Sequence, residues 1–279
     1  MTVLVPYDGS EQAQFALDAA ADKFPDRTPV LLHVLEPYAD HTEAGGHGSE
    51  QTDRARDDAQ ELLDEAVDAV EGTAETAIRY GRPVHEIIRY IEENPVDRVV
   101  IGSHGREGAE RLLLGSVAET VVRRSSVPVT VVRQQLIDAG SPDHVLVPFD
   151  GSQESRRALT HAIEEYPDTE LTVLYVTYPT TEGSLPGPVP SGDNADQSDD
   201  ESGDVLDIAE QTAAEAGREI ETDTISGDPS RAIVSYAEDE LVDHIVMGSH
   251  GRDGLTRLLL GSVAETVVRR APTSVTVVR

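Results

Sequence analysis

The residues best suited to chemistry are three glycines and a serine at fixed spacing. Gly102, Gly105 and Gly115-Ser116 read G-x2-G-x9-G-S, and Gly248, Gly251 and Gly261-Ser262 repeat the pattern without change. A strand that ends in glycines lets the backbone bend sharply and turn several N–H groups toward a bound anion. The Gly-Ser pair then opens a helix, whose free N–H groups and positive dipole end suit a phosphate. The Ser116 and Ser262 hydroxyls are placed to cap that helix or to bond a phosphate oxygen, and Val117 and Val263 continue its first turn. A blander role for the glycines is to shape a tight strand–helix connection. Their retention in both copies, while positions 107, 109 and 110 change, favours phosphate. The usual nucleotide motifs do not account for the pattern. A P-loop requires GK[ST], whereas the single lysine is Lys23, and a dinucleotide fingerprint requires GxGxxG after the first strand, where this chain has PYDGS.

The elements that must position these loops come in two copies. VLVPYDGS (Val3–Ser10) returns as VLVPFDGS (Val145–Ser152), and between 102–133 and 248–279 only seven positions differ, so 25 of 32 are identical. A repeat of this length implies two homologous domains, near 1–137 and 143–279, joined around 138–142 in the turn-rich QQLIDAGSPD. Each copy alternates short apolar runs with helical periodicity. In the first copy, TVLVPY, VLLHVL, TAIRY, DRVVIGS and VPVTVVR read as buried parallel strands. Between the first two, Ser10 stands at an N-cap position before Ala13, Ala16, Leu17 and Ala20 at helical spacing. Leu62 to Val70, Val84 to Ile91 and Ser116 to Arg124 supply three further helices. This alternation predicts α/β domains with a doubly wound parallel sheet and helices on both faces. One stretch, Thr180–Asp204, is rich in Gly, Pro, Ser and Asp without apolar period, and is expected to be a disordered, solvated insertion.

The 279 residues carry a formal net charge of −31, with 22 basic and 53 acidic side chains. The acids are dispersed over the expected helices, and lysine is nearly absent. That pattern points to adaptation to a salt-rich cytoplasm, where salt screens self-repulsion. No basic stripe exists for nucleic acid. With no cysteine, disulfides, thiolate metal sites and a cysteine nucleophile are excluded. No leader and no long apolar run precede or interrupt the repeats, so a cytoplasmic protein away from the membrane is expected.

Both motifs together resemble the universal stress protein family, over nearly the whole chain twice. The G-x2-G-x9-G-S pattern resembles the nucleotide signature of that family's ATP-binding branch, and PYDGS and PFDGS resemble its first-strand loop. The resemblance implies five parallel strands in the order 3-2-1-4-5, which sets strands 1 and 4 side by side at the switch point where open α/β sheets bind ligands. It also implies that Asp8 and Asp150 hold the adenosine end of ATP, AMP or ADP. Pro6, Tyr7, Pro148 and Phe149 would add backbone and apolar contacts, and Val34 and Val176 would line the adenine pocket. Val117 and Val263 complete the candidate nucleotide contacts. Arg106, Arg111, Arg252 and Arg257 are candidates for the phosphates, with Mg2+ or Mn2+ as counter-ion. His104 and His250 lie inside the loop within reach of phosphate or metal. His41 and His47 have no counterparts in the second copy, against a shared metal site there. No general base, Walker lysine or nucleophile is evident, so a nucleotide-dependent stress-response switch or sensor is expected rather than an enzyme; a slow ATPase or phosphotransferase and a scaffold without nucleotide are the alternatives. The valine-rich last strands, Val127–Val132 and Thr273–Val278, lie at sheet edges in this order. They are expected to pair antiparallel in a pseudo-dimer of the two domains, with larger homo-oligomers open.

Overall fold

A computed structural model of the chain describes residues 2–25, 27–36, 48–70, 74–105, 114–133, 142–178, 197–251 and 260–279. The chain divides into two compact units, Met1–Ser141 and Pro142–Arg279.

In the first unit the chain runs β1 (Val3–Pro6), α1 (Glu11–Lys23), β2 (Val30–Leu35), α2 (Gly48–Ala69), β3 (Glu75–Tyr80), α3 (Pro83–Glu93), β4 (Arg98–Gly102), α4 (Ser116–Arg124) and β5 (Val129–Val132). The strands are parallel, in the order 3-2-1-4-5. The second unit repeats this as β6 (His144–Pro148), α5 (Gln153–Glu165), β7 (Glu170–Thr177), α6 (Gln197–Glu215), β8 (Glu221–Ser226), α7 (Pro229–Asp239), β9 (His244–Gly248), α8 (Ser262–Arg270) and β10 (Ser274–Val278). Its order, 8-7-6-9-10, is the same arrangement, again parallel throughout.

The packing follows from the residue pattern. Val3, Val5, Tyr7, Leu31, Val100 and Val132 face Ala13, Ala16, Leu17 and Ala20 of α1 and Leu63 and Ala66 of α2. Their neighbours along the same strands, Leu4, Leu32, Val99, Ile101 and Val131, are buried too. Because side chains alternate along a strand, these belong to the opposite face. The second unit builds its core from Val145, Val147, Phe149, Leu159, Leu171, Val173 and Val246. Alanines on the buried stripes of α1 and α5 let both helices lie close to the sheet.

Two elements run longer than their apolar periodicity. The spacing predicts the second helix from Leu62, yet α2 begins at Gly48, because polar residues continue a helix once its apolar turns are docked. Likewise α6 begins at Gln197, so 197–204 are helical rather than irregular as expected. Further along this helix Val205 and Ala209 are buried. Residues 179–196 of the expected insertion lie outside the described residues.

Candidate functional site

Strand β1 is hydrogen-bonded to β2 on one side and β4 on the other. The loop leaving β1 and the loop leaving β4 therefore rise next to each other, and in the second unit the loops leaving β6 and β9 do the same. Open α/β sheets hold their crevice at such a switch point.

The β1 loop is shaped by its glycine and its aspartate. Gly9 has φ +77° and Gly151 φ +79°, a left-handed conformation that favours glycine. Asp8 Oδ1 accepts a hydrogen bond from the Ser10 N–H at 3.0 Å, and Asp150 Oδ1 accepts the same bond from Ser152. Capping of the helix falls to the serines: Ser10 Oγ accepts from the Ala13 N–H and Ser152 Oγ from the Ser155 N–H, each at 3.2 Å. Asp8 and Asp150 are thus not the helix caps. Each holds the turn with one carboxylate oxygen and aims the other at the neighbouring loop.

That neighbouring loop is where the signature glycines lie, and each has a distinct reason. A Cβ on Gly105 would stand 2.5 Å from Asp8 Oδ2, and one on Gly251 2.6 Å from Asp150 Oδ2. The aspartate and the second signature glycine therefore adjoin in both units. Gly115 accommodates the loop's own return: its N–H donates to the Ser103 carbonyl at 2.8 Å, and a Cβ there would meet His104 Cα at 3.1 Å. Gly261 repeats this against Ser249 and His250.

Gly102 and Gly248 meet a packing requirement. A Cβ on Gly102 would come within 2.5 Å of the Gln12 carbonyl oxygen, and one on Gly248 within 2.8 Å of the Glu154 backbone. They let α1 and α5 cross the ends of β4 and β9. None of the six signature glycines has a left-handed φ. The chain bends after β4 and β9 as expected, and close approach, not backbone handedness, demands glycine at these positions.

Gly115 is the N-cap of α4 and Gly261 the N-cap of α8, and neither helix start has a side-chain capping bond. Ser116 and Ser262 occupy the first helical position and are exposed, so they do not cap; Val117 and Val263 follow them, half-buried. Both helix starts therefore present backbone N–H groups beside the aspartate–glycine contact. His104 Nδ1 lies 3.1 Å from Ser103 Oγ, and His250 Nδ1 3.1 Å from Ser249 Oγ. Burial lowers the pKa of His250, the Arg279 charge lowers it further, and Glu154 acts the opposite way. The residue equivalent to Glu154 in the first unit is the neutral Gln12.

The remaining expected contacts divide. Pro6 and Pro148 end β1 and β6, half-buried, and Val34 and Val176 stand half-buried near the ends of β2 and β7. The register Pro6–Leu32 and Pro148–Leu174 carries Val34 and Val176 toward the level of Asp8 and Asp150. The rings of Tyr7 and Phe149 belong to the core, Tyr7 donating its hydroxyl to Gln14 Oε1 at 2.8 Å while His33 Nδ1 approaches the Tyr7 carbonyl at 2.7 Å. Arg106, Arg111, Arg252 and Arg257, with His41 and His47, lie outside the described residues. Sequence reasoning passed over Gly9 and Gly151, although DGS recurs. It also passed over Arg133 and Arg279, which follow β5 and β10 at the same end of each sheet. Burial pulls both guanidiniums below their ordinary pKa. Among the described residues no cluster of His, Asp and Glu could hold a metal ion, and no helix is long and apolar enough to cross a membrane.

The family assignment rests on comparison as well as geometry. The sequence model of the universal stress protein family matches residues 1–133 and again 142–279, and the chain belongs to that family. A universal stress protein of Mycobacterium tuberculosis is 30% identical over 298 residues, spanning 99% of this chain and 96% of that protein. One from Methanocaldococcus jannaschii is 36% identical over 138 residues, 48% of this chain and 81% of its own length. The crystal structure of a universal stress protein from Archaeoglobus fulgidus covers 100% of this chain and 98% of its own, with a TM-score of 0.73 at 28% identity.

Proposed function

We propose that each unit binds one adenine nucleotide, ATP in the first instance, and that the protein acts as a nucleotide-dependent switch or sensor in a stress response. One observation supports this most: in both units an aspartate oxygen abuts a glycine that has no room for a side chain, beside a helix start with no capping side chain. A Cβ would fill that cradle. In this reading the phosphates lie on the N–H groups of α4 or α8, where the helix dipole favours negative charge. Asp8 and Asp150 hold the adenosine end, and Val34 and Val176 line the base. Arg106 and Arg252 add charge, and a Mg2+ or Mn2+ ion arrives with the phosphates. In a chain of net charge −31, such local positive groups are what an anionic ligand requires.

Calorimetric titration of the whole chain with ATP tests the reading. Two sites are expected, and Gly115→Val removes one of them, since a branched side chain there meets the His104 backbone. A wild type with no ATP site, or a Gly115→Val chain that titrates like it, overturns the proposal. We further propose that the valine-rich edges β5 and β10 pair antiparallel, since an unpaired edge of this kind invites association. Hydrogen exchange resolved along β5 and β10 tests this, because successive N–H groups of a strand point to opposite sides and an edge strand pairs only every second one. Protection of successive amides along both strands is expected, and protection of alternate amides alone counts against the pairing.

A further inference from the structure

The two copies differ in one exposed aromatic residue at the rim of the crevice. Tyr178, the residue after β7, is 74% exposed, in a chain with 3 Phe, 8 Tyr and no Trp. Among the described residues few large apolar side chains are left in water, and this one stands at the carboxyl end of the strand next to β6, whose following loop carries Asp150. Val176 lies at the level of Asp150, and Tyr178 follows two positions further out. The strand is held to its end, where the Gly227 N–H donates to the Thr177 carbonyl at 2.8 Å. VLLHVL (Val30–Leu35) aligns without gaps on TVLYVT (Thr172–Thr177), so the first unit has Glu36 in this place, also exposed. Tyr80 does not substitute for it: it ends β3, one strand further from the crevice.

We propose that Tyr178 is the base-stacking residue of the second site, and that the first site, with Glu36 in its place, holds purine nucleotides more weakly. The inference rests on the nucleotide reading above. A planar base gives the phenol ring an apolar partner that water does not, whereas a carboxylate offers no stacking face and repels the phosphates. Stacking of one base on an aromatic side chain corresponds to about tenfold or more in affinity.

The test is calorimetry on the full chain with two probes, ATP and tripolyphosphate, the second lacking a base. Tyr178→Ala weakens ATP at one of the two sites by about tenfold, Tyr178→Phe retains wild-type affinity, and tripolyphosphate binding is unchanged in both. Glu36→Tyr tightens ATP at the weaker site and narrows the gap between the two. Since Tyr178 is exposed, its replacement leaves the fold intact. A Tyr178→Ala chain whose ATP titration superimposes on wild type overturns the stacking role alone. So does tripolyphosphate weakened by the same factor as ATP. A wild type that binds no ATP overturns this inference together with the reading beneath it.

Discussion

A methyl group on Gly105 would stand 2.5 Å from Asp8 Oδ2, so Gly105→Ala must displace either the carboxylate or the loop. Gly105 is exposed and the clashing atom is the far end of a side chain, which makes the fold tolerant of the change. Binding is not tolerant, because the same carboxylate is the proposed adenosine contact. We expect Gly105→Ala to melt close to wild type and to lose ATP affinity at one site. Asp8→Ala should lose on the order of 1–3 kcal/mol there, for AMP as for ATP. A Gly105→Ala chain with full affinity at both sites would separate the aspartate from the nucleotide. His250 supplies the pH dependence. Its folded pKa lies below 6.5, first through burial and then through Arg279. The unfolded chain therefore binds more protons between the folded value and 6.5. The stability this contributes is complete above pH 6.5 and is lost as the pH falls toward the lowered folded value. Melting curves from pH 8 to pH 5 should show a steeper fall for wild type than for His250→Asn; parallel curves would refute it.

Among the elements, α1 and α5 do the positioning. Each starts from a serine cap just beyond the left-handed glycine, and they cross the ends of β4 and β9 at a glycine without room for a side chain. Gly102 therefore belongs to packing and Gly105 to the crevice, although both sit in one motif. Gly102→Ala places a Cβ 2.5 Å from the Gln12 backbone oxygen, which no rotamer change relieves. We expect a loss of stability of about 1–3 kcal/mol, typical of forcing atoms into a packed contact. Denaturant titration should report that loss while ATP binding to the second unit persists. A stable Gly102→Ala chain would show that α1 slides freely over β4.

At the scale of the whole molecule, charge dominates. A net −31 on 279 residues destabilises the compact state in dilute buffer through self-repulsion, and salt screens it. Among the described residues, Arg89 bridges Glu93, Arg123 bridges Glu119 and Arg269 bridges Glu265, each between exposed or half-exposed side chains of one helix, where such pairs contribute little. The proposal of a salt-adapted protein therefore predicts a melting temperature that rises steeply from dilute buffer to molar KCl. A melting temperature unchanged between those conditions would overturn it.

Much of the architecture was legible in the residues themselves. Apolar runs such as VLLHVL and the stripe Val84, Ile87 and Ile91 carry their periodicity openly, and duplication shows each element twice, so strand–helix alternation and parallel pairing follow directly. The G-x2-G-x9-G-S spacing marks the loop for the same reason. Helix starts were less legible, as α2 and α6 show, because polar turns acquire helical structure from docked apolar turns further along. What each glycine is for was decided only in three dimensions. Spacing alone cannot tell the glycine beneath α1 from the one beside Asp8, since both requirements are clashes with residues some ninety positions away in the chain. Tyr7 and Phe149 were drawn into the core for a related reason: alternation along β1 and β6 sends them to the face that the alanine-rich helices cover. Asp8 was freed from capping because Ser10, two residues on, is better placed to reach the helix N–H groups.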